Sequence, residues 1–244
     1  MANNYIIEIA TSDYATTAAA VAGGANRIEL CANLSEGGTT PSYGVIKTCR
    51  ENFDTLIYPI IRPRGGDFVF TNEEFNVMVQ DVQLCKQLGC DGVVIGLLNT
   101  DGNIDIKRTE ILVKLAYPLG VTFHRAFDRC ADPLEALEQI INIGCERILT
   151  SGQQPHALDG IELITQLQQT ANDRIIIMPG SGVRKENIAQ LAQLSGCTEF
   201  HTSLRSTQPS TSQFVHPSFA NDKESYSNNY IDAEEVRLLR EALA

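Results

Sequence analysis

The chain of 244 residues carries 30 acidic and 19 basic side chains, a formal net charge of −11 at pH 7. That balance excludes a general nucleic-acid binder, because phosphate neutralisation requires clustered lysine and arginine. Hydrophobic residues make up 43% and charged residues 20%, enough for a sizeable core and incompatible with wholesale disorder.

In chain order, strand-like and helix-like runs alternate. The start, 1–7, has neither a basic region nor a leader-like apolar stretch, and reads as a mature cytoplasmic terminus. A strand at 5–10 is followed by an alanine-rich helix at 16–22 that Gly23 and Gly24 stop. Then come a strand at 27–31, a helix at 44–51, a strand at 56–62 broken by Pro63, and a helix at 72–88. That helix opens on Asn72 as N-cap, with Glu73 and Glu74 in its first turn. Strands at 92–96, 121–125, 147–150, 174–178 and 199–202 alternate with helices at 106–117, 133–143, 157–169, 185–194 and 233–243. Three helix ends share one pattern, in which Gly89, Gly144 or Gly196 is followed by a cysteine and then a strand.

Eight strands alternating with eight helices predict a parallel sheet closed into a (β/α)8 TIM barrel, with 1–244 forming one domain. A doubly wound open sheet is the competing architecture, but the G-x-G-x-x-G fingerprint is absent after the first strand, and no nucleotide cofactor is indicated. The segment 206–230, rich in Ser, Asn, Gln and Thr, is expected to form a long irregular loop after the eighth strand. No apolar run reaches the roughly 18 residues that span a bilayer, so no membrane partner is expected. The seven cysteines include no CxC or CxxC pair, which argues for reduced thiols and against a closed zinc knuckle.

In such a barrel the functional groups gather at the carboxyl ends of the strands, and two-residue alternation selects the side chains that face inward. Glu8, Glu29, His124, Asp128 and His201 are the candidate acid–base groups. Arg62, Arg64 and Arg125 are candidates for holding a small anion. The turns Thr150-Ser151-Gly152 and Gly180-Ser181-Gly182 are expected to offer it backbone N–H groups. Cys31 and Cys130 are the thiols nearest the expected mouth, and thiolate is a soft ligand suited to Cu(I). A salt-bridge layer inside the barrel, Glu8 or Glu29 against Arg62, is the structural alternative.

Six stretches in order resemble the CutC copper-homeostasis family: Arg27-Ile28-Glu29-Leu30-Cys31, Glu36-Gly37-Gly38-Thr39-Thr40-Pro41-Ser42, Ile61-Arg62-Pro63-Arg64-Gly65-Gly66, His124-Arg125-Ala126-Phe127-Asp128, Leu149-Thr150-Ser151-Gly152 and Gly180-Ser181-Gly182-Val183. The resemblance implies a (β/α)8 barrel, a cytoplasmic location, a homodimer, and copper handling with Cu(I) bound through cysteine. The family's cysteine falls on Cys31, and Cys49 and Cys130 are the candidates for a second ligand. The inventory of Glu, Arg and His, without a Met-rich or paired-Cys carrier motif, points to an alternative: an enzyme acting by acid–base chemistry on a small anionic substrate, phosphorylated compounds among the candidates.

Overall fold

The computed structural model describes residues 5–219, 221 and 226–243. The extreme start of the expected cytoplasmic terminus, 1–4, and parts of the expected loop, 220 and 222–225, lie outside the described residues. Eight parallel strands follow one another around a (β/α)8 barrel: β1 (Ile6–Thr11), β2 (Arg27–Leu30), β3 (Leu56–Pro59), β4 (Gly92–Ile95), β5 (Gly120–Phe123), β6 (Arg147–Thr150), β7 (Ile176–Pro179) and β8 (Glu199–Thr202). Backbone ladders join β3-β2-β1-β8 and β4-β5-β6-β7 into two arcs. A parallel bridge between Ile60 and Val94 links the arcs at β3 and β4. Among the described residues the β7–β8 seam carries no ladder, and side chains cross it instead. The Thr202 hydroxyl donates to the Val183 carbonyl at 2.9 Å, and Arg184 donates to Thr202 at 2.9 Å.

The helices are α1 (Tyr14–Ala22), α2 (Tyr43–Asn52), α3 (Asn72–Gln87), α4 (Ile106–Ala116), α5 (Pro133–Ile143), α6 (Ile161–Ala171), α7 (Ile188–Ser195) and α8 (Ala233–Glu241). Helix α5 shows how the sequence dictates them. Asp132 accepts from the backbone of Leu134 and Glu135, Pro133 occupies the first turn, and Gly144 ends the helix at φ 94°. Its buried residues Ala136, Leu137 and Ile140 form one stripe, which packs on the sheet. Helix starts differ from expectation: α1 and α2 begin earlier, at 14 and 43, α7 begins later, at 188 rather than 185, and two others have a clear physical reason. The cap of α3 is Thr71, whose hydroxyl and backbone N–H exchange hydrogen bonds with Glu74, so the box begins one residue earlier than Asn72. Helix α6 begins at 161 because Gly160 packs its backbone against Gly152, where a Cβ would lie 2.2 Å from the Gly160 carbonyl oxygen. The segment 206–230 is also not wholly irregular: β9 (Ser206–Pro209) and β10 (Ser227–Tyr230) pair antiparallel. No helix among the described residues is long and apolar enough to cross a membrane.

Alternation sends Ile7, Ile9, Ile28, Leu30, Ile57, Val93, Ile95, Phe123 and Ile148 into the hydrophobic layer beneath the helices. The other face fills the barrel with polar groups. Glu8, fully buried, pairs with Arg27; Arg27 reaches Glu199 at 2.6 Å, and Glu199 accepts from Arg147 at 2.7 Å. Arg147 continues to Thr122 at 3.1 Å and Glu146 at 3.0 Å, and Tyr58 donates to Glu146 at 3.2 Å. The Tyr58 ring lies beneath both guanidiniums, 5.3 and 5.7 Å away. Gly92 is required there, since a Cβ would lie 2.0 Å from that ring.

Breaking a buried ion pair from one side is far costlier than never building it. Glu199→Leu leaves Arg27 and Arg147 sharing Glu8 and the half-exposed Glu146, and is expected to cost about 3 kcal/mol or more, read from the urea midpoint. Glu8 adds a pH dependence: burial favours its neutral form, but Arg27 and His201 outweigh burial and lower its pKa to about 2. Below 4.5 the unfolded carboxylate takes up a proton that the folded one refuses, so the stabilisation present above pH 4.5 is lost as pH falls toward 2. Acid titration of unfolding should show that loss in the native chain and a flatter profile in Glu8→Gln.

Candidate functional site

At the carboxyl ends of the strands lies a cavity of about 260 Å³ lined by Glu29, Arg62, Phe68, His124, Arg125, Ser181, Gly182, Arg184, His201 and Ser203, with Ala10, Leu149 and Ile60 among its apolar walls. A neighbouring hollow of about 230 Å³ shares Gly37, Arg62, Phe68 and Arg125 with it and adds Arg129. A chain of net charge −11 thus presents arginines at this mouth.

Glu8 sits one layer below the cavity and holds His201. Its Oε1 is 2.7 Å from His201 Nδ1, so the ionised carboxylate accepts that N–H and orients the ring. The other ring nitrogen, Nε2, is 3.7 Å from Glu29 Oε2, too long for a direct hydrogen bond but close enough for strong electrostatic coupling. Burial opposes charge on His201, yet the Glu8 hydrogen bond and the charges of Glu29 and Glu8 raise its pKa. Burial raises the pKa of Glu29, with the Glu8 charge adding to it and His201 working against it. A dissociable imidazolium between an anchored carboxylate and a carboxyl group of raised proton affinity is a proton-transfer array.

His124 and Arg62 face the same cavity and differ from that array. The N–H of Ala126 donates to His124 Nδ1 at 3.0 Å, so the neutral ring carries its proton on Nε2. Burial, and next the Arg62 charge, hold the His124 pKa down at about 3. Among the described residues His124 Nε2 is buried without a partner. Gly96 makes the space for this ring, because a Cβ there would lie 2.3 Å from it. Arg62 donates to the carbonyls of Glu36 at 2.8 Å, Gly38 at 2.9 Å and Gly66 at 2.6 Å, tying two loops together, while its Nε is buried without a partner among the described residues. The Phe68 ring rests against both groups, 5.0 Å from the His124 ring and 4.8 Å from the Arg62 guanidinium.

Several sequence expectations are corrected here. Asp128 is not a free acid or base, because its carboxylate accepts from Thr150 Oγ1 at 2.6 Å, Ser151 N and Oγ at 2.9 Å, Gln153 N at 3.2 Å and Arg125 Nε at 2.7 Å. Asp128 therefore fills the anion cradle expected at Thr150, Ser151 and Gly152, and those residues do not line the cavity. Arg64 points away, pairs with Glu74 and Asp67, and packs on Phe70. Gly180 is spent in the β7–β8 seam, where a Cβ would press on Leu149 and His201. Ser181 and Gly182 do line the cavity, and Ser181 holds φ 77°, a left-handed conformation a serine adopts only under constraint. Their backbone N–H groups have no acceptor among the described residues.

The candidate thiols lie in separate surroundings. Cys31 lies fully buried beneath Glu29, packed with Ile60, Tyr58 and Val94, and donates weakly to the Glu29 carbonyl at 3.9 Å. Burial and then the Glu29 charge push its pKa well up, holding the thiol protonated. Cys130 sits near Gln153, with its pKa raised to about 12 by burial and the charge of Asp128. Cys49 faces Thr17 in the helical layer. Among the described residues no group of three or more His, Cys, Asp and Glu converges to hold a metal.

Sequence reasoning passed over Arg27, Arg147, Phe68 and Arg184. Arg27 is two residues before Glu29, and Arg147 two before Leu149, so strand alternation alone would have turned both inward.

Known proteins resemble the chain along most of its length. The model of the CutC family matches residues 5–206. A CutC family protein of Parabacteroides distasonis is 54% identical over 202 residues, covering 82% of this chain and 83% of that one. The human copper homeostasis protein cutC homolog is 43% identical over 242 residues, 98% of this chain and 89% of that one. The crystal structure of the CutC protein of Streptococcus agalactiae superimposes with a TM-score of 0.78 at 33% identity, over 82% of this chain and 98% of that one. With its barrel, its ordered motifs and these relatives, the chain belongs to the CutC family.

Proposed function

We propose that the chain is an enzyme that moves protons on a small anionic substrate held at the strand carboxyl ends. One observation carries this reading: Glu29 and His201, anchored by Glu8, line the same cavity as the unpartnered Nε2–H of His124. Leaving a buried polar group without a partner costs about 1–3 kcal/mol, and a ligand acceptor would remove that cost. Proton transfer needs a group whose affinity for the proton lies near working pH, and the raised pKa of Glu29 moves it that way. Arg125 and Arg184, with the backbone N–H groups of Ser181 and Gly182, supply the charge and donors for an anion. Arg62 contributes through its field and its free Nε, because its other donors are committed to the loops.

A second reading follows from the name of the human relative, which speaks of copper homeostasis. It would take Cu(I) as cargo at Cys31. The neutral thiol would have to lose its proton beside Glu29, and its neighbours Ile60, Tyr58 and Val94 offer no second soft donor. The geometry therefore favours the acid–base reading.

Titration of the labelled protein with inorganic phosphate and simple sugar phosphates is expected to give saturable amide shifts at Ser181, Gly182 and Ser203. Arg184→Ala should weaken that binding roughly tenfold, the loss of about 1.4 kcal/mol from one exposed charged donor. Resonances unmoved at millimolar ligand would sink the anionic-substrate reading. For copper, competition against a chromogenic Cu(I) chelator separates the cases. If Cys31 is the ligand, Cys31→Ser lowers Cu(I) affinity at least about tenfold while Cys145→Ser does not, since hydroxyl is a hard ligand. Equal affinities would remove Cys31 from any copper site.

A further inference from the structure

The unsatisfied donors say more about the substrate than its charge. His124 and Arg62 each contribute a side chain over nine-tenths buried, each has one nitrogen without a partner, and both line the one cavity. They lie close together, since the same Phe68 ring rests on both. What they offer is specific. The His124 ring must be neutral, because its Nδ1 accepts the Ala126 N–H, so it presents a single Nε2–H without a full charge. Arg62 has its terminal nitrogens on three backbone carbonyls and retains Nε–H, so the planar fork that grips a carboxylate is not free. Two single N–H donors on one cavity match two oxygens of a substrate better than one carboxylate or phosphate. A neutral imidazole N–H is also suited to an oxygen that gains negative charge during reaction. Glu29, the cavity group without a committed hydrogen-bonding anchor among ionised partners, is the matching base.

We propose that the substrate is a small phosphorylated α-hydroxy carbonyl compound, whose enediolate oxygens accept from His124 Nε2–H and Arg62 Nε–H while Glu29 transfers the proton. This rests on the acid–base reading above. In the step, a Glu29 oxygen takes the proton from the carbon next to the carbonyl and the C–H bond breaks. Its electron pair becomes the C–C double bond, and the carbonyl π pair moves onto oxygen, where the two N–H groups hold it. Protonated Glu29 then returns the proton to the original carbon, or to the adjacent one while the remaining hydroxyl proton passes to the former carbonyl oxygen and its O–H electron pair forms the new C=O, so nothing is oxidised overall and no co-reactant is consumed. The phosphate lies at Ser181 and Gly182, with Arg184 beside it.

The test compares two probes on the native protein, inorganic phosphate and phosphoglycolohydroxamate, a stable mimic of a phosphorylated enediolate. The hydroxamate is expected to bind at least about 100-fold more tightly, as intermediate mimics do, and to shift the Nε2–H resonance of His124 downfield in ¹⁵N-imidazole spectra while Nδ1 stays unprotonated. His124→Asn keeps an acceptor for the Ala126 N–H but deletes the second donor, and should cut the preference for the hydroxamate by about 10-fold or more. His124→Gln, which can place an N–H near the Nε2 position, should retain part of it. Because either variant can disturb folding, the native resonance shift decides independently. Phosphate binding with no preference for the hydroxamate, or tight hydroxamate binding that leaves the His124 resonance unmoved, overturns the enediolate inference and leaves the acid–base reading standing. Failure of both probes overturns the two together.

Discussion

A carboxylate with no exposure to solvent cannot stay ionised unless cations surround it, and Glu8 is that carboxylate. Arg27 takes one of its oxygens and His201 the other, so one side chain both balances the barrel interior and aims a cavity imidazole. Everything polar inside the barrel follows from this. Arg27 brings a second positive charge that Glu199 must share, Glu199 draws in Arg147, and Arg147 ends on Thr122 and Glu146. The chain of charges thus runs from the cavity through the barrel axis toward the opposite face. An aliphatic filling would have been cheaper in desolvation, but it would leave His201 without an orienting partner. The carboxylate that balances the barrel interior therefore also fixes the His201 ring above it.

That dependence also explains what strand alternation could and could not reveal. Glu8, Glu29, His124 and His201 were legible because each lies on the inward parity of a strand or just past its end, where an ordinary core would carry Val or Leu. Asp128 was misleading for a physical reason. Its partners, Thr150, Ser151 and Gln153, lie 22 to 25 residues away, on the loop of the next strand. Whether a carboxylate is solvated, catalytic or caged depends on that loop's path, which no local pattern encodes. The same holds for Arg64, which shares parity with Arg62 but leaves the barrel after Pro63 and finds Glu74 at a helix start. The helix start at 161 was hidden because the contact that delays it, Gly160 on Gly152, is between backbones. Side-chain periodicity carries no trace of such a contact.

The cavity contains two histidines held in opposite states by their neighbours. His201 faces two carboxylates and is drawn toward the charged form, while His124 faces a backbone N–H and Arg62 and is held neutral. One fold thereby holds two histidines of opposite proton affinity within a single cavity of about 260 Å³. Environments that separate the proton affinities of like groups assign different roles to them. A metal-storage surface has no use for this division, since both imidazoles would serve it best as unprotonated ligands.

Cys31 joins the two readings rather than standing apart from them. Its thiol lies against Glu29, so the charge state of one governs the other. A thiolate beside an ionised Glu29 would be repelled, whereas Cu(I) replacing the thiol proton conserves charge at that point. Such an ion would still need a second soft donor, and the buried faces around Cys31 are those of Ile60, Tyr58 and Val94. Binding there would therefore require the β2 and β3 ends to open, disturbing the loops that Arg62 ties down at Glu36, Gly38 and Gly66. Copper and a substrate would then be mutually exclusive occupants of one electrostatic device, linked through Glu29 and Arg62. The protonated, closed arrangement is the one on which the proposed acid–base reading rests.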